Sequence, residues 1–316
     1  MIEASQQTYT RDGRLYLMGV AMVLVVMFHI VQHQEFVTPV SKLLSYVFAN
    51  GWLGVDMFFL LSAYGLCYSY NSNSLTKFYW NRFVRIIPIY PLAMLIVYIE
   101  AGTPWKQICF DIIQQISGIA ILNETRDVFW FMEPLILLYI FFPLFYRMCK
   151  KVHLMGVLPF LMLCILVHIS LIFISDYHLQ LAVKRIPVMM VGVLTYLYDK
   201  ECNGRGLFFL YGGMALIAVM PLLSDMYLFV PAILLLIAKS EKKIFKRILT
   251  FIGKHSLEIY LGHIFALLVY RYSQWGYYVT IIIALILTFV IAFILYTIQK
   301  YFKVGLDSII NMGRHV

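Results

Sequence analysis

LYLMGVAMVLVVMFHIV, residues 15–31, is an apolar run long enough to cross a bilayer core of about 30 Å, and it holds a single histidine, His29. An ionisable side chain at membrane depth costs roughly 2.5 kcal/mol or more unless it faces a cavity or a partner, so its position marks a functional site. The next apolar run repeats the anomaly: GWLGVDMFFLLSAYG, residues 51–65, is interrupted by Asp56. Two such residues in consecutive crossings predict a shared polar pocket inside a helical bundle.

Composition fixes the class. Hydrophobic residues make up 62% of the 316-residue chain and charged residues 13%, and mean hydropathy is +0.83, so no water-soluble surface can be assembled from this chain. The expected fold is all-α: one polytopic integral membrane domain over residues 1–316, with about ten transmembrane helices. Five cysteines, odd in number and scattered, fit neither a disulfide framework nor a metal cluster. His29 and His33 have the four-residue spacing of paired metal ligands, but no third ligand follows at recognisable spacing, so no metal is assigned. Neither a phosphate-cradling glycine loop nor a repeat of 20–50 residues is present.

Ten apolar runs are spaced along the chain, at 15–33, 51–70, 86–101, 127–148, 154–174, 180–198, 206–223, 226–238, 250–271 and 277–300. Ile108–Leu122 carries Asp111, Gln114 and Gln115 and reads as an interfacial helix. Charge tests the count. With the N-terminus in the cytoplasm, 18 of the 25 lysines and arginines fall in inner segments and 6 in outer ones, Lys254 lying within the ninth run. This asymmetry supports the orientation, with both termini cytoplasmic. It also accounts for the net charge of +9 without a nucleic-acid partner, which would need one concentrated basic face.

Topology turns position into depth. At 1.5 Å per residue, His29 lies roughly 22 Å along its helix from Arg14, Asp56 about 8 Å beyond Gly51, Glu133 about 9 Å beyond Asp127, and His263 about 20 Å beyond Thr250. Four ionisable groups from four helices therefore fall in one outer slice, and a single pocket is the simplest account.

His29 at the end of the first helix, GVDMFF with Ser62 after it, NRFVRIIPIYPL, WFMEPLILLYIFFPLF, RIPVMMVG and IGKHSLEIYLGH together resemble the membrane-bound acyltransferase-3 family, in that family's order and over essentially the whole chain. The resemblance implies a ten-helix bundle in a bacterial cytoplasmic membrane that carries an acyl group, usually acetyl, from cytoplasmic acyl-CoA to a hydroxyl of a saccharide or lipid-linked acceptor. It implies the first-helix histidine as the residue of transfer, with acyl-CoA as a substrate and no bound cofactor. The chain departs from the family pattern at two places. An arginine usually stands eleven positions before the histidine, where this chain has Met18; Arg14 lies one turn below on a similar face. Ser62-Ala63 replaces the usual Ser-Gly.

Acyl transfer from a thioester to an alcohol needs a base, donors for the developing oxyanion, and alignment of two substrates. A neutral imidazole suits the first task near pH 7, which makes His29 the candidate base. Asp56 and Glu133 can orient the imidazole, hold acceptor hydroxyls, or serve a helix terminus. Trp130 offers a flat face on which a sugar can stack, or an interfacial anchor. Arg185 can bind acceptor or oxyanion, or anchor a helix end, and His263 completes the pocket. Arg82 and Arg85 can grip CoA phosphates with their guanidinium forks; the same charges also serve the positive-inside pattern. The basic stretch Glu241–Arg247 reads as a lipid-headgroup segment. The competing class is a transporter or flippase with an intramembrane His, Asp and Glu path, against which stand the order of these motifs and the lack of an inverted repeat.

Overall fold

The structure, a computed structural model, describes residues 11–32, 42–43, 48–49, 51–122, 129–153, 158–201, 243–272 and 277–312. The expected runs 206–223 and 226–238 and His33 lie outside these residues. No strand occurs among the described residues, which form α1 (Arg11–Gln32), α2 (Leu53–Ser72), α3 (Leu75–Ile86), α4 (Tyr90–Glu100), α5 (Trp105–Ser117), α6 (Met132–His153), α7 (Leu158–Phe173), α8 (Tyr177–Val183), α9 (Ile186–Glu201), α10 (Lys243–Lys254), α11 (Ser256–Tyr272) and α12 (Tyr277–Met312).

Five helical stretches are long and apolar enough to cross a membrane: 13–31, 75–100, 132–151, 177–197 and 279–308. The described residues thus do not bring the count to ten. The second expected crossing, α2, falls short on hydropathy for a physical reason: it is buried along most of its length, from Leu53 to Cys67. A helix hidden from lipid can carry Asp56, Ser62 and several tyrosines. The lipid-facing type is α12, whose exposed residues Val279, Ile282, Ile286, Phe289 and Phe293 form an apolar stripe at helical spacing, while Ala284, Thr288 and Ala292 are buried on the other side. An apolar surface of this kind is that of an integral membrane protein.

Element boundaries correct the sequence reading in three places. The third crossing begins eleven residues early, at Leu75: Ser74 caps α3, its hydroxyl accepting from the Lys77 amide, and Phe78, Val84 and Ile86 bury one face. Pro88 lacks an N–H and blocks propagation, so the helix breaks and resumes at Tyr90. The ninth run, expected as one helix over 250–271, is two helices broken at His255, and α10 recruits the basic residues Lys243, Lys246 and Arg247 that read as a headgroup segment. Ile108–Leu122 is covered by α5, which ends at Gly118 in the left-handed region at φ 75°, and by a short 3-10 turn, Ile119–Leu122. It buries Ile108 and Gln115, the latter accepting from the Tyr90 hydroxyl at 2.8 Å, and exposes Phe110 and Ile113, the two-faced pattern of an interfacial helix.

Glycines set the closest crossings. A Cβ on Gly253 of α10 would stand 1.8 Å from the Leu15 carbonyl oxygen, and one on Gly19 of α1 would stand 1.8 Å from that of Leu249, so α1 and α10 touch backbone to backbone. Small residues that admit such approach are how helices pack where lipid removes the hydrophobic drive. α1 also packs on α2, α2 on α9, and α11 on both α1 and α12, which surrounds the upper part of α1 with partners.

Candidate active site

His29 and His263 are neighbours. Their ring centroids are 5.2 Å apart, tilted by 33°, because α1 and α11 run side by side. His263 is buried, and its Nδ1 contacts the Tyr260 carbonyl oxygen one turn earlier. A carbonyl oxygen can only accept, so Nδ1 carries the proton, and in the neutral ring Nε2 is left as an acceptor. The ring next to His29 therefore has a fixed orientation and a fixed tautomer.

Asp56 and Arg185 form a second group. Arg185 Nε lies 3.0 Å from Asp56 Oδ1, with both side chains out of solvent, and the guanidinium stands 5.2 Å from the Trp130 ring centroid. A pair this deep is held by mutual neutralisation, since either charge alone would be costly. Glu133 is buried in the first turn of α6, where a carboxylate complements the helix dipole. The two groups meet through Phe131. Its ring lies 5.2 Å from Tyr260, which in turn is 5.3 Å from His263, and 4.9 Å from Phe59 on the helix that carries Asp56.

Below this aromatic layer a cavity of about 560 Å³ opens toward the opposite end of the bundle, lined by α1, α2, α3, α6, α10, α11 and α12. Its walls carry Arg14, Arg82, Arg85, Lys254 and Lys303, and Phe131 and Tyr260 are also among its lining residues. Arg82 is braced by Ser69 Oγ at 2.7 Å and by the Phe78 ring, 4.3 Å from the guanidinium carbon. Gln299 donates to the Arg85 carbonyl at 2.6 Å, tying α12 to α3 at this wall. Volumes of 300–1,000 Å³ are the range of small-molecule and cofactor sites.

The departure at Met18 has a structural answer. Arg14 Nη1 lies 3.2 Å from Met18 Sδ, and both residues line the cavity. Gly65 leaves the guanidinium room: a Cβ there would stand 2.7 Å from Arg14 Nη1. A guanidinium group thus stands beside residue 18 although it is anchored one turn away. Sequence reasoning missed Lys254, Glu258, Gln299 and Lys303 of the cavity wall. Glu258 carried the needed signal, being an acidic residue inside the ninth apolar run, five positions before His263, and Gln299 and Lys303 have the four-residue spacing of one helix face.

A family model described as an acyltransferase domain, of the acyltransferase-3 type, matches residues 16–297. The chain is similar to Acyltransferase MdmB of Streptomyces mycarofaciens, with 27% identity over 139 residues, a segment covering 39% of this chain and 36% of that relative. The matched segment therefore spans about a third of the curated relative's length. No solved structure matches. With a match running from the first helix into the last, this chain belongs to the acyltransferase-3 family of membrane proteins.

Proposed function

We propose that the protein is an O-acyltransferase that moves an acyl group, acetyl in the simplest case, from cytoplasmic acyl-CoA to a hydroxyl of a glycan or lipid-linked saccharide at the outer side of the bundle. The observation that carries this reading is the basic cavity that reaches Phe131 and Tyr260, the Tyr260 ring lying 5.3 Å from that of His263 and the His263 ring 5.2 Å from that of His29. Length agrees. His29 lies roughly 22 Å along α1 from Arg14, and an extended pantetheine arm spans roughly 18 Å between pyrophosphate and sulfur at standard bond lengths. With its phosphates among Arg14, Arg82 and Arg85, a donor places its thioester near the histidines.

His29 then takes the proton of the acceptor hydroxyl as that oxygen attacks the thioester carbon. The tetrahedral intermediate collapses, the C–S bond breaks, and the thiolate leaves with the proton returned by the imidazolium. His263 holds the His29 ring in place. Trp130 supplies a stacking face for a sugar, and Asp56 fixes the Arg185 guanidinium beside it.

The test is single-turnover transfer and CoA release with purified protein in lipid. His29→Ala should still bind acyl-CoA while losing turnover by about 10²–10⁴-fold, the usual contribution of a general base. Arg82→Ala and Arg85→Ala should weaken acyl-CoA binding and leave acceptor binding intact. Near-normal turnover in His29→Ala would overturn the assignment of the base, and unchanged CoA affinity in both arginine variants would return them to a topological role.

A further inference from the structure

Among the described residues that line the cavity, Glu258 is the one acidic side chain. It belongs to the first turn of α11, is 2% exposed, and its Oε2 atom has no hydrogen-bond partner. The cavity holds arginines and lysines in plenty, yet none pairs with this carboxyl group among the described residues. A buried carboxylate oxygen left without a donor is costly, and a residue that carries one in the wall of a ligand-sized space can receive a donor that arrives with the ligand.

Depth identifies the donor. Glu258 lies five residues before His263 on α11, roughly 7.5 Å toward the basic end. Resting on the reading that acyl-CoA occupies this cavity with its thioester at the histidines, this is the level of the pantetheine arm. The arm's two amide nitrogens lie three and seven bonds from the sulfur, roughly 4 and 9 Å when extended. The phosphates lie further down, near Arg82 and Arg85, and the adenine further still. A carboxylate accepts from N–H or O–H; the arm's two amide N–H groups bracket this depth, whereas its hydroxyl, ten bonds from the sulfur and roughly 12 Å away when extended, lies further down.

We infer that Glu258 accepts a hydrogen bond from a pantetheine amide N–H and thereby sets how far the thioester reaches toward His29. Glu258 is thus a positioning and specificity residue for the donor. It explains why an acidic group persists in a cavity otherwise built for phosphate: it reads the neutral arm, while the cations read the anionic end.

The experiment measures dissociation constants for acetyl-CoA and for two analogues in which one or the other arm amide is replaced by an ester, removing a single N–H while keeping the chain. Purified full-length protein and its Glu258→Ala and Glu258→Gln variants are used. The wild type should bind one ester analogue at least tenfold more weakly than acetyl-CoA. In Glu258→Ala that discrimination should fall to about onefold. In Glu258→Gln, whose carbonyl still accepts but without charge, it should be intermediate, so this variant decides the matter if Glu258→Ala fails to fold. Wild-type binding that is equal for all three donors, or discrimination that survives in the variants, would overturn the role of Glu258 while leaving the donor cavity standing. A wild type that binds no acetyl-CoA would instead remove the cavity reading on which the inference rests.

Discussion

Asp56 and Arg185 lie where an unpaired charge costs several kcal/mol, and their 3.0 Å contact makes each the condition for the other. Arg185→Ala should therefore destabilise the protein by about 3–5 kcal/mol, read as a large drop in the midpoint of thermal unfolding in detergent. The double variant Asp56→Asn, Arg185→Gln should recover part of that loss, since it removes both charges together. A single variant as stable as the wild type would show the pair to be incidental. His263 makes a separate prediction. Its Nδ1 is committed to the Tyr260 carbonyl, which leaves Nε2 as an acceptor on a ring 5.2 Å from that of His29. His263→Phe keeps the ring and its packing but loses that atom; turnover should fall by about 10²-fold, as for other displacements of a reacting group, with acyl-CoA affinity unchanged. Equal loss in both quantities would assign His263 to packing alone. His29, Asp56 and His263 were legible in the sequence because each is ionisable in an apolar run. Their pairing was not: the depth arithmetic places residues in one slice but carries no information on helix order around the bundle, so Asp56 meets Arg185, while the ring beside His29 is that of His263.

At the scale of elements, apolar runs located most helices, and the errors have one cause. α3 and α10 carry too many charges to register as apolar runs, yet each buries part of its surface: Phe78, Val84 and Ile86 on α3, and Ile252 with Gly253 on α10, the glycine against α1. Amphipathic helices at a polar end of a bundle are invisible to a hydropathy window, and here they form the walls of the basic cavity. The α1–α10 crossing follows from its glycines and can be tested through them. Gly253→Leu would drive a side chain into the Leu15 carbonyl and the Gly19 amide, 1.8 and 2.7 Å from the new Cβ. No rotamer relieves such an overlap, so folded protein should be lost from detergent extracts, as judged by size-exclusion chromatography. Gly305, within α12, has nothing within 4 Å of its would-be Cβ, and Gly305→Ala should be neutral or stabilising by about 0.5–1 kcal/mol. If both substitutions behaved alike, close backbone contact would not be what holds α10 in place.

The molecule as a whole is polarised, as the proposed transfer between two compartments requires. One end bears Arg82, Arg85, Lys254 and Lys303 around an open cavity; the other bears the buried Asp56–Arg185 pair, Trp130 and the histidines, with Phe131 and Tyr260 between them. Charge counting anticipated the division, because the same lysines and arginines that orient a chain in a membrane end up on one side of it. The wall of the cavity escaped that reading because it is assembled from seven helices far apart in sequence. Sidedness is testable in the intact protein. In a background with the native cysteines replaced by serine, Lys303→Cys should react with a membrane-impermeant maleimide only from the cytoplasmic face, and acetyl-CoA should slow the reaction by at least severalfold. Lys184→Cys, preceding the ion-paired Arg185, should react only from the opposite face and be indifferent to acetyl-CoA. Labelling of both from one side would reverse the proposed orientation, and labelling at Lys303→Cys that ignores acetyl-CoA at saturating concentration would mean the donor does not enter through the basic mouth.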